Sequence, residues 1–231
     1  MKLTANQTDQ LYKFTRDHYV EYYDLQTELV DHLANGIEKR WESNPKLSFE
    51  DALNAEFKQF GIFGFNDVIE KHNTALTKKY FKIILRFMRE YIKLPKIIGT
   101  LCAILAVFYI IRYVESSPWI IIAGYIMLLL YITYKTILIG SKYKKRKEIT
   151  GKRWKLEEMI SLTGDATFIW YNFTNLLLVI NFPFMHYYWV QLLMAILLVV
   201  LALVMYIVGA IMPEKAEELL RETYPEYELS K

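Results

Sequence analysis

Residues 192–212 read LLMAILLVVLALVMYIVGAIM and contain no charged side chain. The hydrocarbon core of a bilayer is about 30 Å thick, and a helix needs roughly 20 apolar residues to cross it. Tyr187, Tyr188 and Trp189 precede the stretch, and aromatic residues favour the interface between headgroups and lipid tails. The sequence therefore predicts a membrane-spanning helix over 187–212.

Three further stretches are candidate spans. The first two are 97–114 and 118–139, and each contains a single charged residue. The stretch 164–184 is weaker because it contains several polar side chains, although Leu176–Ile180 keeps it more apolar than a soluble loop. An unpaired backbone cannot cross lipid, so each span is expected to be a helix. The prediction is a four-helix transmembrane bundle occupying 97–212.

The distribution of Lys and Arg predicts the orientation of these spans. Segment 141–158 contains eight Lys and Arg against three Glu, and segment 77–96 contains seven against one Glu. The short connections at 115–117 and 185–186 contain neither Lys nor Arg. Because basic loops stay in the cytoplasm, both termini are predicted to be cytoplasmic, in a bacterial inner membrane. A three-span alternative would place the basic segment or the tail on the wrong side.

Residues 1–76 form a separate polar segment with eight Lys and Arg against thirteen Asp and Glu. Its apolar residues return at helical spacing, and no stretch alternates with the period of a strand. We predict helices after a Thr8 cap, over 23–42 and over 49–60, the last with Ser48 as its cap. Because the segment begins with hydrophilic residues, it is expected to stay in the cytosol. The predicted fold class is all-α.

Residues 77–96 predict an amphipathic helix that lies along the cytoplasmic leaflet, with Pro95 marking the bend into the first span. The alternative is a helix packed on the cytosolic domain. The basic segment 141–158 is also expected to contact anionic lipid, and membrane topology explains its charge without nucleic acid. The tail 213–231 is acidic and is expected to dock on the basic segment or a partner, or to be a solvated helix end. The predicted membrane-surface residues are Lys82, Arg86, Arg89, Lys93, Lys144, Lys145 and Arg146.

Short motifs in the first segment support a family resemblance. Residues 28–33 read ELVDHL, residues 48–52 read SFEDA, and Phe60 precedes a glycine. Together they resemble the helical HAAS-type prefix domain found on permeases, over roughly residues 20–70. The chain departs from that family at Ile62 and Phe63, where an acidic turn is usual, and it lacks a long permease region. The resemblance implies a module for sensing or protein interaction, often encoded near PadR-type regulators.

The sequence offers little support for catalysis or metal binding. It has no nucleophile elbow, no phosphate-binding glycine loop and no pair of cysteines at metal spacing. Asp31 and His32 have no second ligand pair, so neither a metal nor a cofactor is expected. The lone Cys102 is read as a packing residue.

The function predicted from these features is that of a non-enzymatic membrane sensor, adaptor or accessory subunit, which uses its cytosolic domain to bind a regulator or larger membrane complex. The alternative is a small transporter or channel-like component that uses polar residues of the third span. The predicted partner-binding residues are Glu28, Asp31, His32, Trp41 and Phe60. The intramembrane polar residues are Asp165, Asn172 and Asn175, for which interhelical packing is the commoner role.

Overall fold

The computed structural model describes residues 2–61, 64–114, 117–162, 187–224 and 226–227. Within these ranges the chain is helical and contains no strand, which confirms the predicted all-α class. The chain divides into two compact units. The N-terminal unit consists of residues 1–79 together with Gly151–Leu156, and the second unit consists of 80–150 and 157–231.

The N-terminal unit begins with helices α1 (Ala5–Asp17), α2 (Tyr23–Ser43) and α3 (Phe49–Phe57), which is followed by a 3₁₀ turn at Lys58–Phe60. The predicted Thr8 cap is wrong by one turn. The cap is Thr4, because its hydroxyl and the Gln7 side chain form a reciprocal capping box. Ser48 caps α3 as predicted, with its hydroxyl accepting the Asp51 amide at 3.1 Å.

Helix α2 is the central element of this unit and packs against both α1 and α3. Leu29, Leu33 and Ile37 follow one another at four-residue spacing and are fully buried. The turn between α1 and α2 contains Tyr19 with φ +64°. Gln26 fixes that turn, because its buried side-chain amide donates to the carbonyl of Val20 at 2.6 Å.

Helix α4 (Asn66–Glu90) contributes residues to both units. The sequence led us to expect a domain ending at 76 and a separate amphipathic helix over 77–96. The structure instead continues one helix across this boundary, and the division into compact units falls after Lys79. The helix ends at Glu90, short of the expected end at 96, and a turn follows up to the next helix.

The second unit contains helices α5 (Lys96–Tyr113), α6 (Ser117–Thr150), most of α7 (Lys155–Leu162) and α8 (Tyr188–Tyr206). Helix α8 continues through a π-helical turn at Ile207–Ile211 and a short helix at Met212–Glu214, and α9 (Ala216–Thr223) follows. Among the residues that the structure describes, three helices are long and apolar enough to cross a membrane: Lys96–Tyr113, Trp119–Ser141 and Tyr188–Glu214. The predicted span 164–184 lies outside the described residues.

Contacts among these helices define their directions. Arg112, near the end of α5, lies over the ring of Tyr188 at the start of α8, with 3.9 Å from the guanidinium carbon to the ring centroid. Helices α5 and α8 are therefore antiparallel. Tyr125 of α6 donates a hydrogen bond to the carbonyl of Leu198. Lys135, ten residues on in α6, reaches Glu214 beyond the end of α8 at 3.5 Å. Helices α6 and α8 therefore run in the same direction.

Close packing supports this parallel pair. A Cβ at Gly209 would lie 2.4 Å from a methyl carbon of Ile132, which is shorter than real Cβ contacts. Gly209 therefore allows the two helices to approach closely. At Gly99 and Gly124, a Cβ would meet no atom of the described residues within 4 Å.

Candidate functional site

A group of polar and aromatic contacts in the N-terminal unit surrounds Gly151–Leu156, which we call the strap. The strap lies against residues Glu21, Tyr22, Tyr23 and Asp24, which we call the strap site. The indole of Trp154 is 4% exposed and meets the Tyr23 ring edge-on, with 5.3 Å between centroids. Tyr23 in turn stacks on Tyr12 at 5.8 Å. Burial raises the pKa of Tyr12, because an ionised phenol would be poorly solvated there.

Backbone hydrogen bonds fix the register of the strap. The amide of Tyr23 donates to the carbonyl of Arg153 at 2.7 Å. Tyr23 is the first residue of α2, where an amide has no partner within its own helix. In the other direction, the amide of Lys155 donates to a carboxylate oxygen of Asp24 at 3.3 Å. Lys155 is the first residue of α7, so this carboxylate lies at a helix N-terminus, where negative charge is stabilised.

Three cations of the strap contact the strap site. Arg153 pairs with Glu21 through its guanidinium and lies over the ring of Tyr22. Lys155 lies over the Tyr22 ring at 4.2 Å and donates to the Tyr22 hydroxyl at 3.2 Å. Lys152 lies over the ring of Tyr23 at 4.1 Å. The site therefore recognises a basic and aromatic sequence through carboxylates and phenol rings.

Asp24 connects the strap to helix α4. Its side chain is 2% exposed, and its second carboxylate oxygen lies 3.6 Å from Nε2 of His72. The same imidazole nitrogen is 3.8 Å from a carboxylate oxygen of Glu28. His72 Nδ1 is buried and has no hydrogen-bond partner. A buried acid, a histidine and a second acid thus lie on one side of the docked strap.

The predicted partner-binding residues fall into two groups. Asp31 and His32 are exposed on α2, and Glu28 is half-exposed beside His72. Trp41, in contrast, is 6% exposed, and its indole N–H donates to the carbonyl of Leu47 at 3.0 Å. Trp41 is therefore a core residue and has no exposed face for a partner. Phe60 is partly buried against the same core, with its ring 5.0 Å from that of Phe65.

The predicted membrane-surface residues are mostly exposed. Lys82 and Arg89 on α4, and Lys93 just after it, are exposed. Lys144 and Lys145 on α6 are exposed as well. Arg146 lies in α6, but its side chain is outside the description. The predicted basic loop is in fact helical as far as Thr150.

Arg86 is exposed and also forms an ion pair with another residue of the chain. Its guanidinium makes a bidentate pair with Glu222 of α9, at 2.6 and 3.0 Å. The hydrogen bonds to this carboxylate raise the pKa of Arg86. Lys215, just before α9, lies over the ring of Phe87 at 5.5 Å. The acidic tail was expected to meet the basic segment or a partner, and within the second unit it pairs with the amphipathic part of α4.

Asp165, Asn172 and Asn175 lie outside the described residues, so the predicted intramembrane polar group has no geometry here. Among the residues that the structure does describe, no group of three or more His, Cys, Asp or Glu is placed to hold a metal ion. Cys102 is exposed on α5.

Sequence reasoning missed the strap site. The signals were present, since Lys152 to Lys155 read KRWK and residues 21–24 read EYYD. Opposite charge and paired aromatics are complementary in these two short runs. They are far apart in sequence, however, and neither helical periodicity nor charge counting pairs distant runs. The basic run was read as a marker of topology, a lipid contact and a surface for the acidic tail, and was not paired with residues 21–24.

The chain was also compared with known proteins. No family model, no curated protein and no solved structure matches it. The resemblance of residues 20–70 to HAAS-type domains therefore stays a prediction from short motifs.

Proposed function

We propose that this protein is a membrane-anchored sensor or adaptor whose N-terminal unit binds a protein partner on the cytoplasmic side. The observation that carries the proposal is the strap. A compact polar unit closes over a segment that follows directly after a span candidate, so binding events on the unit are coupled through the chain to that helix. Buried Trp154 and the backbone bonds of Tyr23 and Lys155 support a specific docked geometry.

We also propose four spans with both termini in the cytoplasm. The parallel arrangement of α6 and α8 supports this count. Two parallel spans require the chain to cross back between them, because the first ends on the side opposite to where the second begins. The sequence between them offers 164–184 as the apolar stretch of sufficient length. An even number of crossings agrees with the basic segments at 77–96 and 141–158.

The partner surface that we propose is the exposed polar face of α2. Asp31 and His32 are exposed there, and Glu28 extends the face toward His72. Residues 1–76 contain eight Lys and Arg against thirteen Asp and Glu, and this face contributes Glu28 and Asp31, which favours a partner with a basic docking segment. Trp41 is left out because it belongs to the core.

Co-purification from native membranes tests the adaptor function. A stoichiometric protein should co-elute with the full chain in mild detergent. Asp31→Lys combined with His32→Glu should abolish that association, because it reverses the charge at one position and replaces an imidazole at the next. The matched control is Asp9→Lys, an exposed acidic residue on α1, which should leave the association intact. A monodisperse protein without any stoichiometric partner would contradict the proposal.

Within the described part of the chain, no specific observation favours the transporter alternative. Helices α5, α6 and α8 enclose a cavity of about 310 Å³, with a lining that includes Val107, Tyr125 and Leu198. This lining is apolar apart from the hydroxyl of Tyr125, which already donates to the Leu198 carbonyl. A flux assay on the unaltered protein in liposomes separates the two functions, and measurable flux would favour the transporter.

A further inference from the structure

The strap contacts have counterparts at an anionic membrane surface. The guanidinium of Arg153 pairs with the carboxylate of Glu21, and a guanidinium binds a lipid phosphate equally well. The indole of Trp154 packs on Tyr23, and tryptophan also favours the headgroup interface of a bilayer. Lys152 and Lys155 contact phenol rings, and lysine ammonium groups are equally suited to anionic headgroups.

The ion pair between the strap and the strap site is weak enough to be replaced by contacts with another anion. The side chain of Glu21 is 62% exposed and that of Arg153 is 36% exposed. Water screens an ion pair of this kind, so it contributes little to holding the strap in place. A competing surface that offers many phosphates would meet only weak resistance from the charged contacts.

The strap follows a span candidate and a basic run in the chain. The span candidate Trp119–Ser141 ends immediately before a dense basic run, in which Lys144 and Lys145 are exposed. Helix α6 continues to Thr150, and Gly151, with φ +64°, begins the strap. Basic clusters directly after a span attract anionic lipid, and competition for such a cluster is a known form of electrostatic switch.

We propose that the strap has two mutually exclusive ligands, the strap site on the N-terminal unit and the anionic headgroup surface of the membrane. This inference rests on the proposed sensor function and names what is sensed, namely the density of anionic lipid. When lipid holds the strap, the strap site loses its occupant and Glu21, Tyr22 and Tyr23 become available to a basic partner.

The amide of Tyr23 is a direct reporter of docking. Its acceptor in the docked state is the carbonyl of Arg153, which leaves when the strap leaves. The full chain is placed in nanodiscs of phosphatidylcholine and in nanodiscs with increasing phosphatidylglycerol. Hydrogen exchange at Tyr23 should accelerate about fivefold with anionic lipid, the factor that corresponds to loss of one ordinary hydrogen bond. Unchanged exchange at Tyr23 overturns the proposal.

Two matched variants separate strap charge from general surface charge. Lys152→Gln with Arg153→Gln keeps Trp154 and the backbone bonds but removes the lipid-binding cations, so the response at Tyr23 should be lost. Lys39→Gln with Lys58→Gln removes two exposed cations elsewhere in the same unit, and the response should persist. An equal response in both variants overturns the proposal. Protected exchange at Leu29 and Leu33 verifies that each variant is folded, since both side chains are in the core.

A further measurement distinguishes lipid phosphate from free phosphate as the ligand of the strap. Inorganic phosphate added to phosphatidylcholine nanodiscs should leave exchange at Tyr23 unchanged, and acceleration by phosphate alone overturns a membrane-surface ligand. All of these measurements use purified protein without a partner. A missing lipid response therefore leaves the adaptor function standing, and a missing partner in native membranes leaves the lipid switch standing.

Discussion

The carboxylate of Asp24 accepts the amide of Lys155 and lies near Nε2 of His72, in a position that is almost fully buried. A buried polar group that loses its partner carries the full penalty of its desolvation. At the scale of residues, the strap and α4 therefore both depend on this one side chain.

We expect Asp24→Ala to lower the free energy of unfolding of the N-terminal unit by about 1–3 kcal/mol, because the Lys155 amide loses its buried acceptor and His72 loses a nearby carboxylate. Native-state hydrogen exchange at the core amides of α2 measures this change. The control is Asp31→Ala on the exposed face of the same helix, which should change the value by less than about 0.5 kcal/mol. Equal effects of the two substitutions would show that Asp24 has no special role.

The residue scale also shows what the sequence could predict. Trp41 lies on the same four-residue repeat as Leu29, Leu33 and Ile37, so its burial was readable from periodicity. Its assignment to a partner surface conflicted with that repeat. The His72 contacts were not readable, because they join two helices whose relative positions depend on packing. Periodicity predicts which face of a helix is buried, but it does not predict which residues pack against that face.

At the scale of elements, the helices of the N-terminal unit were largely predictable. Helix α2 was expected over 23–42 and is observed at Tyr23–Ser43. Gly36 lies inside it as predicted, although glycine is a poor helix former. The structure supplies the reason, since a Cβ at Gly36 would lie 2.2 Å from the side-chain carboxyl carbon of Glu56. Glu56 is in turn held by Arg40 at 2.8 Å.

Gly36→Ala should therefore destabilise the unit by about 1 kcal/mol, even though alanine gains about 1 kcal/mol in helix propensity. The added methyl displaces Glu56 and breaks its charged hydrogen bond with Arg40, which contributes roughly 1.5–3 kcal/mol. Hydrogen exchange of α2 measures the single and double variants. When Glu56 is already replaced by alanine there is no side chain to displace, so Gly36→Ala should then cause no further destabilisation, and additive effects of the two substitutions would refute the clash.

Gly209 allows an equivalent prediction for the second unit. Gly209→Ala should lower the free energy of unfolding by about 1–3 kcal/mol, because the new methyl overlaps Ile132 between two packed helices. Thermal unfolding in detergent measures the change. Gly99→Ala is the matched control, since a Cβ there meets no atom within 4 Å and alanine favours the helix. If the control loses as much stability as Gly209→Ala, close packing at Gly209 is not the cause.

At the scale of the whole molecule, hydropathy predicted four spans, and three of them coincide within two residues at each end with helices that are long and apolar enough to cross a membrane. Trp119–Ser141 corresponds to the expected 118–139, and Tyr188–Glu214 to the expected 187–212. The pairing of these helices was not predictable, because each is apolar on all sides and lacks a preferred face. Contacts such as Lys135 with Glu214 reveal the parallel direction only in the folded chain.

Reporter fusions test the proposed topology. A fluorescent protein that folds only in the cytoplasm should be bright at both Met1 and Lys231, and a periplasmic phosphatase should be inactive at both. The same phosphatase inserted at 115–117 should be active, since that connection has no basic residues. Reporters that place the two ends of the chain in different compartments would exclude an even number of crossings.

The N-terminal unit is assembled from two stretches of chain that are separated by residues 80–150. During synthesis the first stretch leaves the ribosome early, and domains generally begin to fold in that order. The strap site, on which Trp154 packs, then has no occupant until two span candidates have been translated. In a chain that stops before Gly151, the N-terminal unit is incomplete and its strap site is empty. The unit can be completed only after α5 and α6 have been synthesised.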